Sequence, residues 1–264
     1  MATVLMPIPA SDFDPTETGV PWKGLTGLGH DIVFATPGGA RAEADPMMVT
    51  GRGLGLLAGM LRADGAGRTA YDSMCKSPAF LNPISWEDIE TSRFDGLILP
   101  GGHAKGMRQY LESGRLQSVV RSFFEASKPV GAICHGVVLV ARSKRADGRS
   151  VLYERKTTAL TRMMELSAWQ LTRTFLGDYY RTYPETVEDE VRSVLARPSD
   201  FVRGPLSLTR DSEANPDAGF VVRDGNYLSA RWPGDAHRFA QMMDELLRGY
   251  AKQRPADSGS GERI

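Results

Sequence analysis

Residues 128–143 read KPVGAICHGVVLVARS, an apolar run broken only at Cys134-His135-Gly136. The stretch Val130-Gly131-Ala132-Ile133 is short and continuously apolar, as a strand covered on both faces must be. Val137-Val138-Leu139-Val140-Ala141 is apolar on every side and reads as a buried helix. A strand that feeds at once into a buried helix belongs to a parallel sheet sandwiched by helices.

The rest of the chain repeats this alternation. Strands are predicted over 3–8, 31–35, 94–99, 128–134 and 227–230, and helices over 21–28, 105–112, 116–127, 135–143, 162–176, 186–195 and 236–250. The expectation is an α/β fold with a mostly parallel central sheet. A chain of 264 residues can bury a sizeable core, and one α/β domain over 1–250 is expected, with insertions near 38–85 and 160–215 and a flexible tail over 251–264. Thr186 before Glu188-Asp189-Glu190 reads as a helix N-cap with a solvated acidic first turn. Gly51-Arg52-Gly53 follows no clear strand and is not read as a dinucleotide fingerprint.

Charge and cysteine content narrow the function. The 32 basic and 32 acidic residues cancel, which leaves no electrostatic footprint for nucleic acid or an anionic membrane surface. The N-terminal run is too short for a signal peptide or a span, so a cytoplasmic location is expected. Two cysteines, Cys75 and Cys134, and four scattered histidines show no zinc-type spacing, so no metal or cofactor is expected. A small-molecule substrate is the expected partner.

Cys134 sits where the strand meets the helix. In a strand-turn-helix elbow the nucleophile has a strained backbone, and small residues two positions either side avoid clashes; here these are Ala132 and Gly136. The helix-start N–H groups favour a thiolate, the reactive form of cysteine. A free cysteine is equally among the most buried residue types, so a packing role stands beside the catalytic one. A second element, FDGLILPGGHA over 94–104, is a strand ending in Pro-Gly-Gly at the edge where open α/β sheets place ligands. Adjacent glycines there let backbone N–H groups face a crevice, as an oxyanion hole requires.

Taken together, FDGLILPGGHA and VGAICHG resemble the ThiJ/PfpI superfamily, with its class I glutamine amidotransferase-like fold. The resemblance implies a flavodoxin-like three-layer sandwich with a nucleophile elbow, Cys134 as the nucleophile and a homodimer, and the Gly102 N–H of the glycine turn is the expected oxyanion donor. The resemblance also implies a glutamate after the first strand that meets the sulfur. Glu17, in Glu17-Thr18-Gly19-Val20-Pro21, matches that position and is expected on the loop before a helix at Pro21.

The branch with large inserts, that of the chaperone-like glyoxalase III proteins, uses the histidine after the cysteine and an acid some thirty residues on. His135 and Glu165 fill these places, with Glu154 a competitor for the second. Val137 stands where the family commonly has proline, and Ala104 where it has glycine. The resemblance implies conversion of a 2-oxoaldehyde to a 2-hydroxy acid. The same Cys134 and Glu17 also suit hydration, isomerisation or hydrolysis of a bulkier metabolite, which the aromatic stretch Leu176-Gly177-Asp178-Tyr179-Tyr180-Arg181-Thr182-Tyr183-Pro184 and Trp232 would line. A stress-response holdase or redox sensor is the reading from another class. An amidotransferase is disfavoured, because His237 is followed by Arg238 and Phe239 and no downstream His-x-Glu occurs.

Overall fold

A computed structural model describes residues 1–206 and 208–253. Its nine strands are β1 (Thr3–Pro7), β2 (Ser11–Phe13), β3 (Asp31–Thr36), β4 (Glu43–Ala44), β5 (Ile84–Ser85), β6 (Gly96–Leu99), β7 (Val130–Ile133), β8 (Val221–Asp224) and β9 (Tyr227–Ala230). Seven of them form the central sheet in the order β5-β3-β1-β6-β7-β9-β8, and β2 pairs with β4 alone. Every neighbouring pair in the large sheet is parallel except β8 with β9. The mostly parallel sheet is the one that the alternation predicts, and the arrangement is flavodoxin-like, as the resemblance implies.

The helices of seven residues or more are α1 (Pro15–Gly27), α2 (Gly65–Met74), α3 (Gly114–Glu125), α4 (Gly136–Arg142), α5 (Arg162–Leu176), α6 (Val187–Ser193) and α7 (Ala236–Gln253). Helices α1, α2 and α7 pack together over one face of the sheet, and α3, α4 and α6 over the other. Strands β1, β6 and β7 are covered on both sides, which is why they read as continuous apolar runs: Val4, Leu5, Met6, Leu97, Ile98, Leu99, Ala132 and Ile133 are all fully buried.

Several boundaries differ from the sequence expectation. The first helix begins at Pro15, not Pro21, because Asp14 caps it by accepting from Thr16 N and Glu17 N at 2.8 and 2.9 Å. Pro21 then lies inside the helix, where it has no N–H to give the Glu17 carbonyl one turn back. The helix expected over 105–112 is broken into a 3-10 turn, Lys105–Met107, and a single turn of α-helix, Arg108–Leu111. Strands β2, β4, β5 and β8 lie outside the five runs predicted. Residues 251–253 continue α7, and the remainder of the expected tail, 254–264, lies outside the described residues.

Thr186 does cap α6, accepting from Asp189 N at 3.3 Å, but its acidic first turn is not simply solvated. Glu188 is buried and draws in Arg162 N, Arg192 and Arg203, so its carboxyl is held below the usual range despite its burial. Charges on this side of the molecule tie α5 to α6. No described helix is long and apolar enough to cross a membrane.

Candidate active site

Strand β7 ends at Ile133, and Cys134 makes the turn into α4 with φ +57°. Left-handed backbone in a non-glycine residue costs on the order of 1–3 kcal/mol and persists only when its surroundings enforce it. Here Cys134 N donates to Ala230 O of β9 at 3.0 Å, while Val137 N reaches back to Cys134 O at 3.3 Å. The small residue two places on is obligatory, since a Cβ on Gly136 would stand 2.1 Å from the Leu99 carbonyl oxygen. The sulfur is almost covered, with Cys134 6% exposed.

Glu17 stands in the first turn of α1, not on a loop, and α1 aims it at the elbow. Its Oε2 accepts from Gly101 N at 2.9 Å, Oε1 has no conventional partner, and its carboxyl interacts directly with the Cys134 thiol. Asp14 N in turn donates to Gly101 O at 2.9 Å. The Pro-Gly-Gly turn after β6 is thereby fastened to the helix start. Gly102 follows with φ +153°, a conformation that side chains rarely adopt. The ideal Cβ position of Gly101 falls 2.8 Å from His135 N, so the turn and the elbow are in contact.

Burial dominates the protonation of these groups. It pushes Glu17 well above the usual carboxyl range, with the Asp14 charge adding to it, and the Cys134 and Gly101 contacts only partly offset this. Asp14 itself is raised by burial to about 6. Burial also pushes the Cys134 thiol up, and the Glu17 and Asp14 charges act in the same direction. The helix-start contribution expected from the sequence is present as the His135 N–H, which lowers the thiol pKa, but it is outweighed. Burial thus favours the uncharged form of both the thiol and the Glu17 carboxyl.

His135 is the imidazole next to the sulfur. Its Nδ1 is 3.4 Å from Cys134 Sγ, and its Nε2 is 3.0 Å from Thr182 Oγ1. Thr182 donates its own hydroxyl hydrogen to the His103 carbonyl at 2.5 Å, so toward the imidazole it can only accept. The hydrogen-bond network therefore assigns the imidazole proton to Nε2 and leaves the Nδ1 lone pair facing the thiol. Burial, with the His103 and Arg142 charges, lowers His135 to about 3, which keeps the ring neutral.

The expected acid partner is elsewhere. Glu165 gives Oε2 to Val187 N at 2.9 Å and has Oε1 3.7 Å from Arg181 Nη1. It caps α6 and anchors the chain next to Thr182, and burial raises its carboxyl to about 7. Glu154 is exposed and lies near Arg145. Thr182 takes the place beside His135 that the resemblance gave to an acid, and Arg108 holds the Thr182 carbonyl through Nε at 2.8 Å. The same stretch sends Tyr180 onto the His103 ring, stacked at 4.3 Å, with Tyr179 edge-on at 4.8 Å. Among the described residues no group of three His, Cys, Asp or Glu side chains is arranged to hold a metal ion.

A family model described as ThiJ/PfpI family-like matches residues 8–205. A deglycase of Thermococcus kodakarensis is 26% identical over 165 residues, 62% of this chain and 69% of that protein. DJ-1 homolog D of Arabidopsis thaliana is 26% identical over 134 residues, half of this chain, and the match spans only 30% of the plant protein. Among solved structures, glyoxalase III from Candida albicans superposes with a TM-score of 0.67 at 17% identity, over 92% of this chain and 96% of its own. At that identity the likeness is one of fold.

Proposed function

From the premise that this chain belongs to the ThiJ/PfpI family, whose matched span includes Glu17, Gly102, Cys134, His135 and Thr182, we propose a cysteine-dependent enzyme that converts a small 2-oxoaldehyde to a 2-hydroxy acid. The observation that carries this reading is the convergence on one sulfur of a neutral base, a protonated acid and a glycine turn. His135 Nδ1 takes the Cys134 thiol proton as sulfur adds to the aldehyde carbon. The Gly102 and His135 N–H groups face the oxygen on which charge develops. Glu17 and His135 then move the proton from the former aldehyde carbon to its neighbour, leaving a thioester that water cleaves to the 2-hydroxy acid and free Cys134.

The reading is supported by the deglycase relative and is consistent with the fold shared with glyoxalase III. A small substrate is favoured over a bulky one because His103, Tyr179 and Tyr180 pack against each other beside the elbow, and the sulfur is nearly covered. Purified protein incubated with methylglyoxal, with no added thiol, should yield lactate, and its mass spectrum should show adducts at Cys134. The absence of both lactate and adduct would rule the reaction out.

The Thr182 contact makes a separate prediction. Thr182→Val removes the acceptor for Nε2–H, so the buried ring loses the hydrogen bond that fixes its tautomer, a cost of about 1–3 kcal/mol. The kcat/KM should fall by roughly 10–100-fold, and Thr182→Ser should restore most of it. An unaltered rate in Thr182→Val would show that His135 does not serve as the base in this tautomer.

A further inference from the structure

Strands β6, β7 and β9 are adjacent, and the residues just past them stand on either side of Cys134. Beyond β6 comes His103 with Tyr180 stacked on it. Beyond β9, two residues after the Ala230 carbonyl that holds Cys134 N, comes Trp232, and Arg210 lies against its ring with Cζ 5.1 Å from the centroid. Arg210 Nη2 lies by the Met60 and Arg62 carbonyls, and Tyr180 packs in one apolar cluster with Leu54 and Leu61, so both flanks border the segment 54–62.

Each flank carries buried polar atoms with no protein partner: Arg210 Nη1 and Trp232 Nε1 on one, Tyr180 OH and His103 Nε2 on the other. Tyr180 as a whole is only 7% exposed. Arginine and tryptophan nitrogens can only donate, and the tyrosine hydroxyl can donate as well. Native folds rarely leave such groups unsatisfied, and several in one place call for an acceptor. Two carboxylates beside these flanks are otherwise engaged. Asp14 caps α1, and Asp45 accepts from Met47 N, Met48 N and the Tyr179 hydroxyl. Arg210 Nη2 has only the Met60 and Arg62 carbonyls, at 3.5 and 3.4 Å.

We propose that the compound taken by this site carries a carboxylate as well as its carbonyl group, and that Arg210, Trp232 and Tyr180 bind the carboxylate while the carbonyl carbon faces Cys134. This rests on the reading of Cys134 as nucleophile and adds the substrate class. A carboxylate suits the site better than a neutral acceptor, because it gives the guanidinium a counter-charge and makes each bond charge-assisted.

Iodoacetate and iodoacetamide provide the test, since both alkylate a thiolate with loss of iodide and differ only in carboxylate against amide. Rates at Cys134, followed by peptide mass spectrometry, are taken as the ratio of iodoacetate to iodoacetamide and divided by the same ratio for glutathione. Wild type should exceed unity by about tenfold, the scale of one charge-assisted hydrogen bond. Arg210→Gln should bring the ratio near unity. Trp232→Phe, which keeps the ring against Arg210 and removes only its N–H, should lower it about threefold. Labelling by iodoacetamide with a wild-type ratio near unity, or a preference that survives Arg210→Gln, overturns the carboxylate site and leaves the nucleophile standing. No labelling of Cys134 by either reagent overturns both.

Discussion

Cys134→Ala is expected to reduce turnover of a 2-oxoaldehyde by about 10³-fold or more, because the covalent step disappears and only binding and oxyanion contacts remain. The fold should tolerate the change. Alanine meets the same backbone strain at φ +57°, and only a buried sulfur is lost. Glu17→Gln should be an intermediate case: it keeps an acceptor for Gly101 N but has no proton to give.

The wild-type thiol also sets a pH dependence. Burial above all holds Cys134 above the ordinary thiol range, so its uncharged form dominates at neutral pH. Iodoacetamide labelling of Cys134 should therefore keep rising with pH through the neutral range and beyond the point where a free thiol levels off. A labelling rate that is already flat below pH 7 would mean that the helix-start N–H outweighs burial after all.

Asp235→Ala should be the most damaging change to stability, by about 3–5 kcal/mol. Arg231 is 1% exposed and Asp235 fully buried. The pair is bidentate, with Nε to Oδ2 and Nη2 to Oδ1 both at 2.9 Å. Asp235 also accepts from Arg231 N and Phe220 N, and Arg231 Nη1 donates to Pro205 O. Removing the carboxylate leaves a buried guanidinium uncompensated and unfastens three segments at once. For a chain of this size the midpoint of thermal unfolding, followed by circular dichroism, should drop by on the order of 10 °C. The double change Arg231→Met with Asp235→Ala should recover much of that, since the cost lies in the orphaned charge. A shift within about 2 °C for Asp235→Ala alone would mean that water reaches Arg231.

How much of this could be seen in the sequence depends on how local each signal is. The elbow could be seen, because strand, cysteine, glycine and helix are contiguous, and the spacing of Ala132 and Gly136 is itself a steric statement. Glu17 was visible by motif but placed on the wrong element. Pro21 imitates the proline that opens a helix, while Asp14-Pro15, six residues earlier, carries the same signal together with the real cap. The separation of Glu165 from His135 fitted the pattern, yet the turn of α5 points its carboxyl at Val187 N.

Thr182 could not be found this way. A threonine among tyrosines has no local signature, and its contact is made across 47 positions. The edge strands were hidden for a different reason: β5 and β4 are two residues long, and Val221-Val222 gives way at once to Arg223-Asp224. Arg210 and its partners carry no pattern either. They are collected only when the ends of β6, β7 and β9 are brought side by side.

The position of β1 has a bearing on how the molecule is made. Val4 lies between Ile32 and Gly96, so this early strand has one neighbour 28 positions on and the other 92. At a synthesis rate of roughly 5–20 residues per second, one apolar edge of TVLMP waits roughly 5–20 s for its second neighbour to be translated. Pairings of that sequence separation also fold slowly. Strand β7 docks on β6, so the turn that carries Cys134 can take its strained shape only after that wait is over. During synthesis the unpaired edge of β1 is thus exposed before Cys134 has been translated.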